Sequence, residues 1–321
     1  MESRASTPQC TEGVAFGPVP SRRLGQSLGV NPVPCKTCTY SCVYCQLGHT
    51  TNVTTERRRY RDTDSVTSAV LQRLEGAALH PDFVTFLGCG EPTLASNMED
   101  ILNGISAATS CKTALLTNGA LLWDPEVRKE ALGFDVVLPT IAAGSEDLFR
   151  RMHRPHPSLN LKKVLSGMRR FSDDFAGELW VEVMLVNGLN DDEDSLEEIR
   201  AAVDPLHAHR IDLTAPVRPP AESWVRCPTR EGIERALRAI AGAVDTTEQE
   251  TGQFDVRRRA VVKDILEIAR IHPMREDQML ETLVKAGMSR EESLETIKRM
   301  LDTVEIVGIE HRGKTYYRAR R

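Results

Sequence analysis

The stretch Cys35-Lys36-Thr37-Cys38-Thr39-Tyr40-Ser41-Cys42-Val43-Tyr44-Cys45 gathers four of the chain's eight cysteines into one short segment. Cys38, Cys42 and Cys45 stand in a Cys-x3-Cys-x2-Cys spacing. Three thiolates this close can hold three corners of a cubane [4Fe–4S] cluster, whereas electron-transfer clusters of this type take four cysteines. The remaining iron then lacks a protein ligand and can bind and activate a substrate. Other chemistries fit part of the pattern. Cys35/Cys38 and Cys42/Cys45 are two Cys-x2-Cys pairs, as in a structural zinc site, although zinc ribbons separate their pairs by many more residues. Cys35 as a fourth ligand would make an electron-transfer centre. A thioredoxin-like Cys-x2-Cys would leave two cysteines without a role.

The elements that must position this loop alternate strand with helix. A strand at 27–33 leads directly into the cysteines. Apolar residues at helical spacing (Val66, Val70, Leu71, Leu74) predict a helix over 64–79. A β-branched and aromatic run predicts a strand at 83–87. Helices follow at 97–108, 124–132, 145–152, 159–175, 194–206 and 229–244. Strands fall between them at 113–116, 135–138, 179–186 and 211–214. Six strand–helix units imply right-handed crossovers around a parallel sheet. The fold class is α/β, a partial (β/α)6 TIM-like barrel with its active site at the C-terminal ends of the strands.

Polar and glycine residues sit where that rule puts a site. Gly88-Cys89-Gly90-Glu91-Pro92 follows the second strand and Thr117-Asn118-Gly119 the third. Thr140 and Ala142-Ala143-Gly144 follow the fourth. Glu182 lies in the fifth, and Ala215-Pro216-Val217-Arg218 follows the sixth. Ahead of the first strand, Phe16-Gly17-Pro18-Val19-Pro20-Ser21-Arg22-Arg23-Leu24-Gly25 is dense in turn formers and reads as a lid or plug. Arg22 and Arg23 either are solvated there or face a carboxylate or phosphate in the site.

At 321 residues, with 40% apolar and 27% charged content, the chain can bury a barrel core and a small second domain. The net charge of −5 gives no overall polybasic surface, though it permits a local one. Clustered cysteines read as metal ligation in a reducing compartment. The polar N-terminus lacks the apolar core of a signal peptide, and no apolar run approaches a membrane span. The expected location is the cytoplasm, with no membrane partner. Residues 1–15 read as a flexible tail.

The cysteine spacing resembles the signature of the radical S-adenosylmethionine (SAM) superfamily. The resemblance implies a [4Fe–4S] cluster on Cys38, Cys42 and Cys45, whose open iron is chelated by the amino and carboxylate groups of S-adenosylmethionine. Reductive cleavage then gives a 5′-deoxyadenosyl radical that abstracts hydrogen from a substrate. An electron donor such as a flavodoxin or ferredoxin is implied. Tyr44 matches the aromatic near the adenine. Gly88-Cys89-Gly90-Glu91 resembles the Gly-Gly-Glu element that meets the S-adenosylmethionine amino group, with Cys89 interrupting the glycine pair. Thr117 and Asn118 match a Thr-Asn-Gly element. Thr140, Glu182, Thr214 and Val217 occupy places that in the family hold ribose, carboxylate and adenine. The match covers about residues 14–245.

Three stretches resemble a group related to wyosine-base synthases: 16–25 with the cysteine loop, Arg150-Arg151-Met152-His153-Arg154-Pro155-His156-Pro157, and Pro216-Val217-Arg218-Pro219-Pro220. An RNA nucleoside, in tRNA or another nucleic acid, is the substrate this implies. Only Cys10 and Cys35 precede the signature, too few for the second cluster of the synthases themselves. His153 and His156 either are structural or reach the substrate. Cys89 and Cys227 read as ordinary side chains or as hydrogen-atom donors.

A polar stretch at 246–256 reads as a linker. Beyond it, helices at 258–270, 275–285 and 290–301 and strands at 304–309 and 314–318 form a winged helix-turn-helix domain over 257–321. This segment carries 15 Lys and Arg against 11 Asp and Glu. Arg312, Lys314, Arg318 and the terminal arginines would meet nucleic acid. Glu291, Glu292 and Glu295 on the third helix would be repelled by phosphates, which favours a docking or capping module. Two other function classes stay open: a four-cysteine electron-transfer protein, and a redox- or iron-sensing DNA-binding regulator.

Overall fold

The computed structural model describes residues 13–248, 250 and 252–320. Most of the expected N-terminal tail lies outside them. Within them, β1 (Ala15–Ser21) already pairs antiparallel with β2 (Gly25–Val30). The turn-rich stretch expected to be a lid is therefore an edge strand. Prolines are tolerated on an edge, where one row of backbone groups needs no partner, and Phe16 and Val19 bury their side chains there.

The cysteine loop follows β2 and contains the short parallel pair β3 (Thr37–Cys38) and β4 (Asn52–Val53). Alternation then proceeds as α1 (Thr63–Gly76), β5 (Phe83–Phe86), α2 (Met98–Ser106), β6 (Lys112–Thr117), α3 (Pro125–Ala131) and β7 (Val136–Ile141). It continues with α4 (Glu146–His153), α5 (Leu161–Asp174), β8 (Glu178–Met184), α6 (Glu193–Val203), β9 (Arg210–Thr214), α7 (Arg230–Ala239) and β10 (Ala243–Asp245). The sheet order is β1-β2-β5-β6-β7-β8-β9-β10, parallel from β2 to β10. The helix expected at 229–244 stops at Ala239, and its last residues form β10 against β9.

Side-chain alternation along the strands sets the two faces. On β8, Leu179, Val181 and Val183 join the main core, which also takes residues from α1 to α7. Trp180 packs instead with Leu24, Ala114, Val136 and Leu138 on the other face. The sheet curls so that its edges approach. Arg22 Nη1, at the β1–β2 turn, donates to the Thr246 carbonyl beyond β10 at 2.6 Å, and Asp255 N donates to Pro18 O at 2.9 Å. Many capping side chains are those the sequence supplies at helix starts. Asp62, Asp124, Asn160, Asp192 and Thr229 each accept a first-turn N–H.

The C-terminal segment forms α8 (Val261–Ile271), β11 (Met274–Arg275), α9 (Glu276–Lys285), α10 (Arg290–Asp302), β12 (Ile306–His311) and β13 (Lys314–Ala319). Its sheet is antiparallel, in the order β11-β13-β12. The segment shares one core with the sheet's edge: Phe16, Val19 and Cys89 pack with Ile265, Ile268, Met279, Ile297 and Tyr317. Arg73 of α1 meets Asp264 at 2.8 Å and Glu267 at 3.3 Å on α8. The stretch expected as a linker is packed: Thr246, Thr247, Glu250, Phe254 and Asp255 are buried. Leu79 N donates to Asp255 Oδ2 at 2.9 Å. Among the described residues, no helix is long and apolar enough to cross a membrane.

Candidate active site

The cysteine loop is held from two sides. Behind it, the backbone at the end of α4 acts as a clamp: Ser41 N donates to His153 O and Val43 N to Met152 O, both at 2.9 Å. His156 N donates to Thr39 O at 2.9 Å. Arg154 takes a left-handed conformation, φ 45°, which turns the chain from α4 into this clamp. The His153 ring is buried against Tyr40, Tyr44 and Phe149. Its Nδ1 lies 3.4 Å from Cys42 Sγ and 3.2 Å from Tyr44 Oη. Burial lowers its pKa to about 3, so the ring is neutral. Neither His153 nor His156 lines the cavity in front of the loop. Their motif supports the loop from behind.

In front of the loop lies a cavity of about 330 Å³, within the size range of small-molecule sites. Cys38, Cys42, Cys45 and Tyr44 line one side. The ends of the parallel strands supply Gly88, Gly90, Glu91, Thr117, Asn118, Thr140 and Val217, and Glu182 projects from β8. Nine of the eleven residues expected to hold S-adenosylmethionine thus face one space. Cys89 and Thr214 do not. The Cys89 sulfur is bonded to Cys35, Cα to Cα 4.4 Å, and turns away. Thr214 is fully buried, its hydroxyl donating to Val183 O at 3.4 Å.

Cys35 is thereby withdrawn from the cysteine loop's ligand set. This removes the four-cysteine centre and the paired zinc reading together. Among the described residues, no three His, Cys, Asp or Glu side chains converge as a single ion would require. Burial pushes the Cys38 thiol up to about 12 and the Cys42 thiol well above its ordinary value. Buried thiols of this kind ionise when a cation coordinates them, so the donor set fits a cluster with three protein ligands. Asn118 Nδ2 lies 3.6 Å from Cys38 Sγ and donates to Thr39 Oγ1 at 2.8 Å, which fixes the first of the three.

Glu91 works within the wall. Its carboxylate accepts from Thr93 N at 3.2 Å, Thr93 Oγ1 at 2.7 Å, Thr117 Oγ1 at 2.6 Å and Asn118 N at 2.9 Å. Burial raises its pKa and these bonds oppose the rise. The acid ties the β5 and β6 ends together. Gly88 has φ +155°, and a Cβ there would meet Asn31 Oδ1 at 1.5 Å. A Cβ on Gly90 would meet the Thr37 carbonyl at 2.2 Å. Both positions require glycine for the backbone to pass the cysteine loop so closely.

Residues from distant segments complete the cavity. Arg22, Arg23, Arg218 and His272 line it. Arg23 pairs with Glu182, so that carboxylate is already engaged. Arg218 Nη1 donates to Gln46 Oε1 at 2.9 Å and Nη2 to His272 Nε2 at 2.5 Å. Glu250 Oε2 lies 2.8 Å from Arg218 Nη2, an ion pair without hydrogen-bond alignment. The C-terminal segment closes the mouth. Gln46 Nε2 donates to Ile271 O at 3.0 Å, Tyr316 Oη to Val217 O at 2.9 Å, and Arg318 Nη2 to Gln46 O at 2.8 Å. Arg318 therefore faces the barrel and not an outer surface. Cys227 Sγ donates to Pro216 O at 3.4 Å and does not line the cavity.

A profile of the radical SAM superfamily matches residues 33–199. A UPF0026 protein of Methanocaldococcus jannaschii is 34% identical over 310 residues, 95% of each chain. A UPF0026 protein of Synechocystis sp. is 34% identical over 206 residues, 64% of this chain and 76% of that one. Among solved structures, a radical SAM methyltransferase from Sphaerobacter thermophilus shares the fold with a TM-score of 0.52 at 16% identity, covering 68% of this chain and 65% of its own. With the match running from Val33, just ahead of the cysteine loop, to Ile199 in α6, the chain belongs to the radical SAM superfamily.

Proposed function

We propose that the cavity seats S-adenosylmethionine against a [4Fe–4S] cluster held by Cys38, Cys42 and Cys45, beside a second ligand from which hydrogen is taken. Enzymes of this superfamily use that cluster and S-adenosylmethionine, which together supply a 5′-deoxyadenosyl radical. The observation that carries the reading is the sharing of one cavity by three free cysteines and the ends of the parallel strands, with Cys35 bonded elsewhere.

The chain's own residues have these roles. Asn118 orients Cys38. Gly88 and Gly90 let the β5 end pass close to Asn31 and the Thr37 carbonyl, which sets that turn against the cysteine loop. Glu91 acts by holding Thr117 and Asn118 in place. Tyr44, Thr140 and Val217 form the remaining walls, with Glu182 reached through Arg23. Cys89 and Thr214 support the site from behind. We read residues 16–245 as a partial (β/α)6 barrel and residues 257–321 as a winged helix, joined by the packed stretch 246–256. The winged helix acts as a lid on the barrel, a role supported by its bonds to Gln46 and Val217. A flavodoxin or ferredoxin would supply the electron. An RNA nucleoside substrate would have to enter past this lid, where Arg312, Lys314 and Arg320 are the exposed basic residues of the terminal hairpin.

Electron paramagnetic resonance of the anaerobically reconstituted, reduced protein tests the seating. The cluster signal should shift on adding S-adenosylmethionine, and Asn118→Ala should weaken that response. A reduced cluster whose signal ignores S-adenosylmethionine sinks the reading.

A further inference from the structure

We propose that Arg22, Arg218 and His272 form a binding site for an anionic group, a carboxylate or phosphate, on the substrate that shares the cavity with S-adenosylmethionine. The inference rests on the reading above and names the substrate's chemical class.

Three guanidinium groups line the cavity, at Arg22, Arg23 and Arg218. Two carboxylates answer them. Glu182 pairs with Arg23, and Glu250 lies against Arg218. The nearby Asp212 is taken by Arg210 at 2.8 Å. Arg22 has no ion pair among the described residues and makes one hydrogen bond, to the Thr246 carbonyl. Of the three, Arg22 is thus the guanidinium with no carboxylate against it among the described residues. Burial and the like charge of Arg218 lower the Arg22 pKa to about 10, a group that would gain from a counter-charge.

Two buried donors on the same wall are unmet. Arg218 Nε has no hydrogen-bond partner. His272 Nδ1 has none either, although the ring is buried. Arg218 can only donate, so His272 Nε2 must accept, and the proton of the neutral ring sits on Nδ1. A guanidinium without a carboxylate partner, beside spare N–H groups, selects an anion. A neutral ligand would leave the charge uncompensated, and a cation would add to it.

Two sources could bring that anion: the substrate, or the carboxylate of S-adenosylmethionine. Position favours the substrate. Arg22 stands at the β1–β2 turn, Arg218 follows β9, and His272 follows α8. Asn118 and the Gly88–Glu91 turn, beside Cys38, belong to β5 and β6. The anion site therefore joins the two sheet edges and the lid.

Calorimetric titration of the reconstituted holoenzyme, saturated with S-adenosylmethionine, with inorganic phosphate tests this. Phosphate should bind the wild type, and Arg22→Gln should weaken it by about tenfold or more. Arg22→Lys should restore most of the affinity, which separates charge from folding. The affinity for S-adenosylmethionine should stay within about twofold in Arg22→Gln. Phosphate that binds Arg22→Gln equally well, or does not bind the wild type, overturns the proposal. So does phosphate that competes with S-adenosylmethionine, since the anion site would then be that cofactor's own. A holoenzyme that fails to bind S-adenosylmethionine sinks the parent reading instead, and this one with it.

Discussion

Arg318 of β13 donates from Nη2 to the carbonyl of Gln46, the residue directly after Cys45, at 2.8 Å. The same nitrogen reaches Pro219 O at 3.2 Å. One side chain of the C-terminal segment thus fastens the cysteine loop to the loop after β9. Arg318→Ala should leave the barrel folded but loosen the cluster loop by about 1–3 kcal/mol. The cluster's visible absorbance should bleach several-fold faster in air, while far-ultraviolet circular dichroism stays unchanged. Equal bleaching rates would show that the contact does not hold the loop.

The lid is also pinned from the outside, where Arg73 meets Asp264 and Glu267. The Asp264 side chain is fully buried and also pairs with Arg257 at 2.5 Å. Removing one member leaves buried charge poorly matched. Arg73→Ala should cost about 3–5 kcal/mol in urea unfolding. Limited proteolysis should then cut within 246–260 first. Cleavage there at the wild-type rate would contradict a docked lid.

Acid should release the lid through Glu250 and His272, which face Arg218 and Arg22. For Glu250, burial opposes ionisation, but Arg218 and then His272 outweigh it and the pKa falls to about 2. A carboxylate depressed on folding contributes stability that is present above 4.5 and lost as pH falls toward 2. Burial, then Arg218, lowers His272 from 6.5 to about 3, so its contribution is lost between those values. The urea midpoint should drop as pH falls from 6.5, and His272→Asn should flatten the upper part of that fall. A flat profile from 6.5 to 3 would refute the coupling.

Cys35→Ser separates the bonded pair from the cluster ligands. Iron bound per chain after anaerobic reconstitution should match the wild type, because Cys35 is tied to Cys89 and not to the cluster. Loss of half or more of the iron would return Cys35 to the ligand set.

The cysteine loop and most of the cavity wall were legible because their signals are local. Cysteine spacing is written in eight consecutive residues, and βα turns fall at readable strand ends. Nine expected ligand contacts line the cavity for that reason. The misses depend on how the sheet curls. Cys35 meets Cys89 across 54 residues, and Arg23 meets Glu182 across 159. His272 enters from a separate core. β1 was hidden by its prolines and β10 by its length of three residues. The stretch 246–256 has linker composition, but its polar side chains are used in buried bonds, such as Thr246 Oγ1 to Leu213 O at 2.8 Å. His153 was left open between a structural and a substrate-facing role, because packing of its ring among aromatics is not written in its neighbouring residues.

The central claim is radical chemistry from a cluster on three cysteines. The most direct measurement reconstitutes the protein anaerobically, reduces it with dithionite and assays 5′-deoxyadenosine formed from S-adenosylmethionine, with Cys42→Ala alongside. The account predicts 5′-deoxyadenosine from the wild type and none from Cys42→Ala. Equal amounts from both proteins, or none from a wild type whose reduced cluster also leaves S-adenosylmethionine unbound, would contradict it.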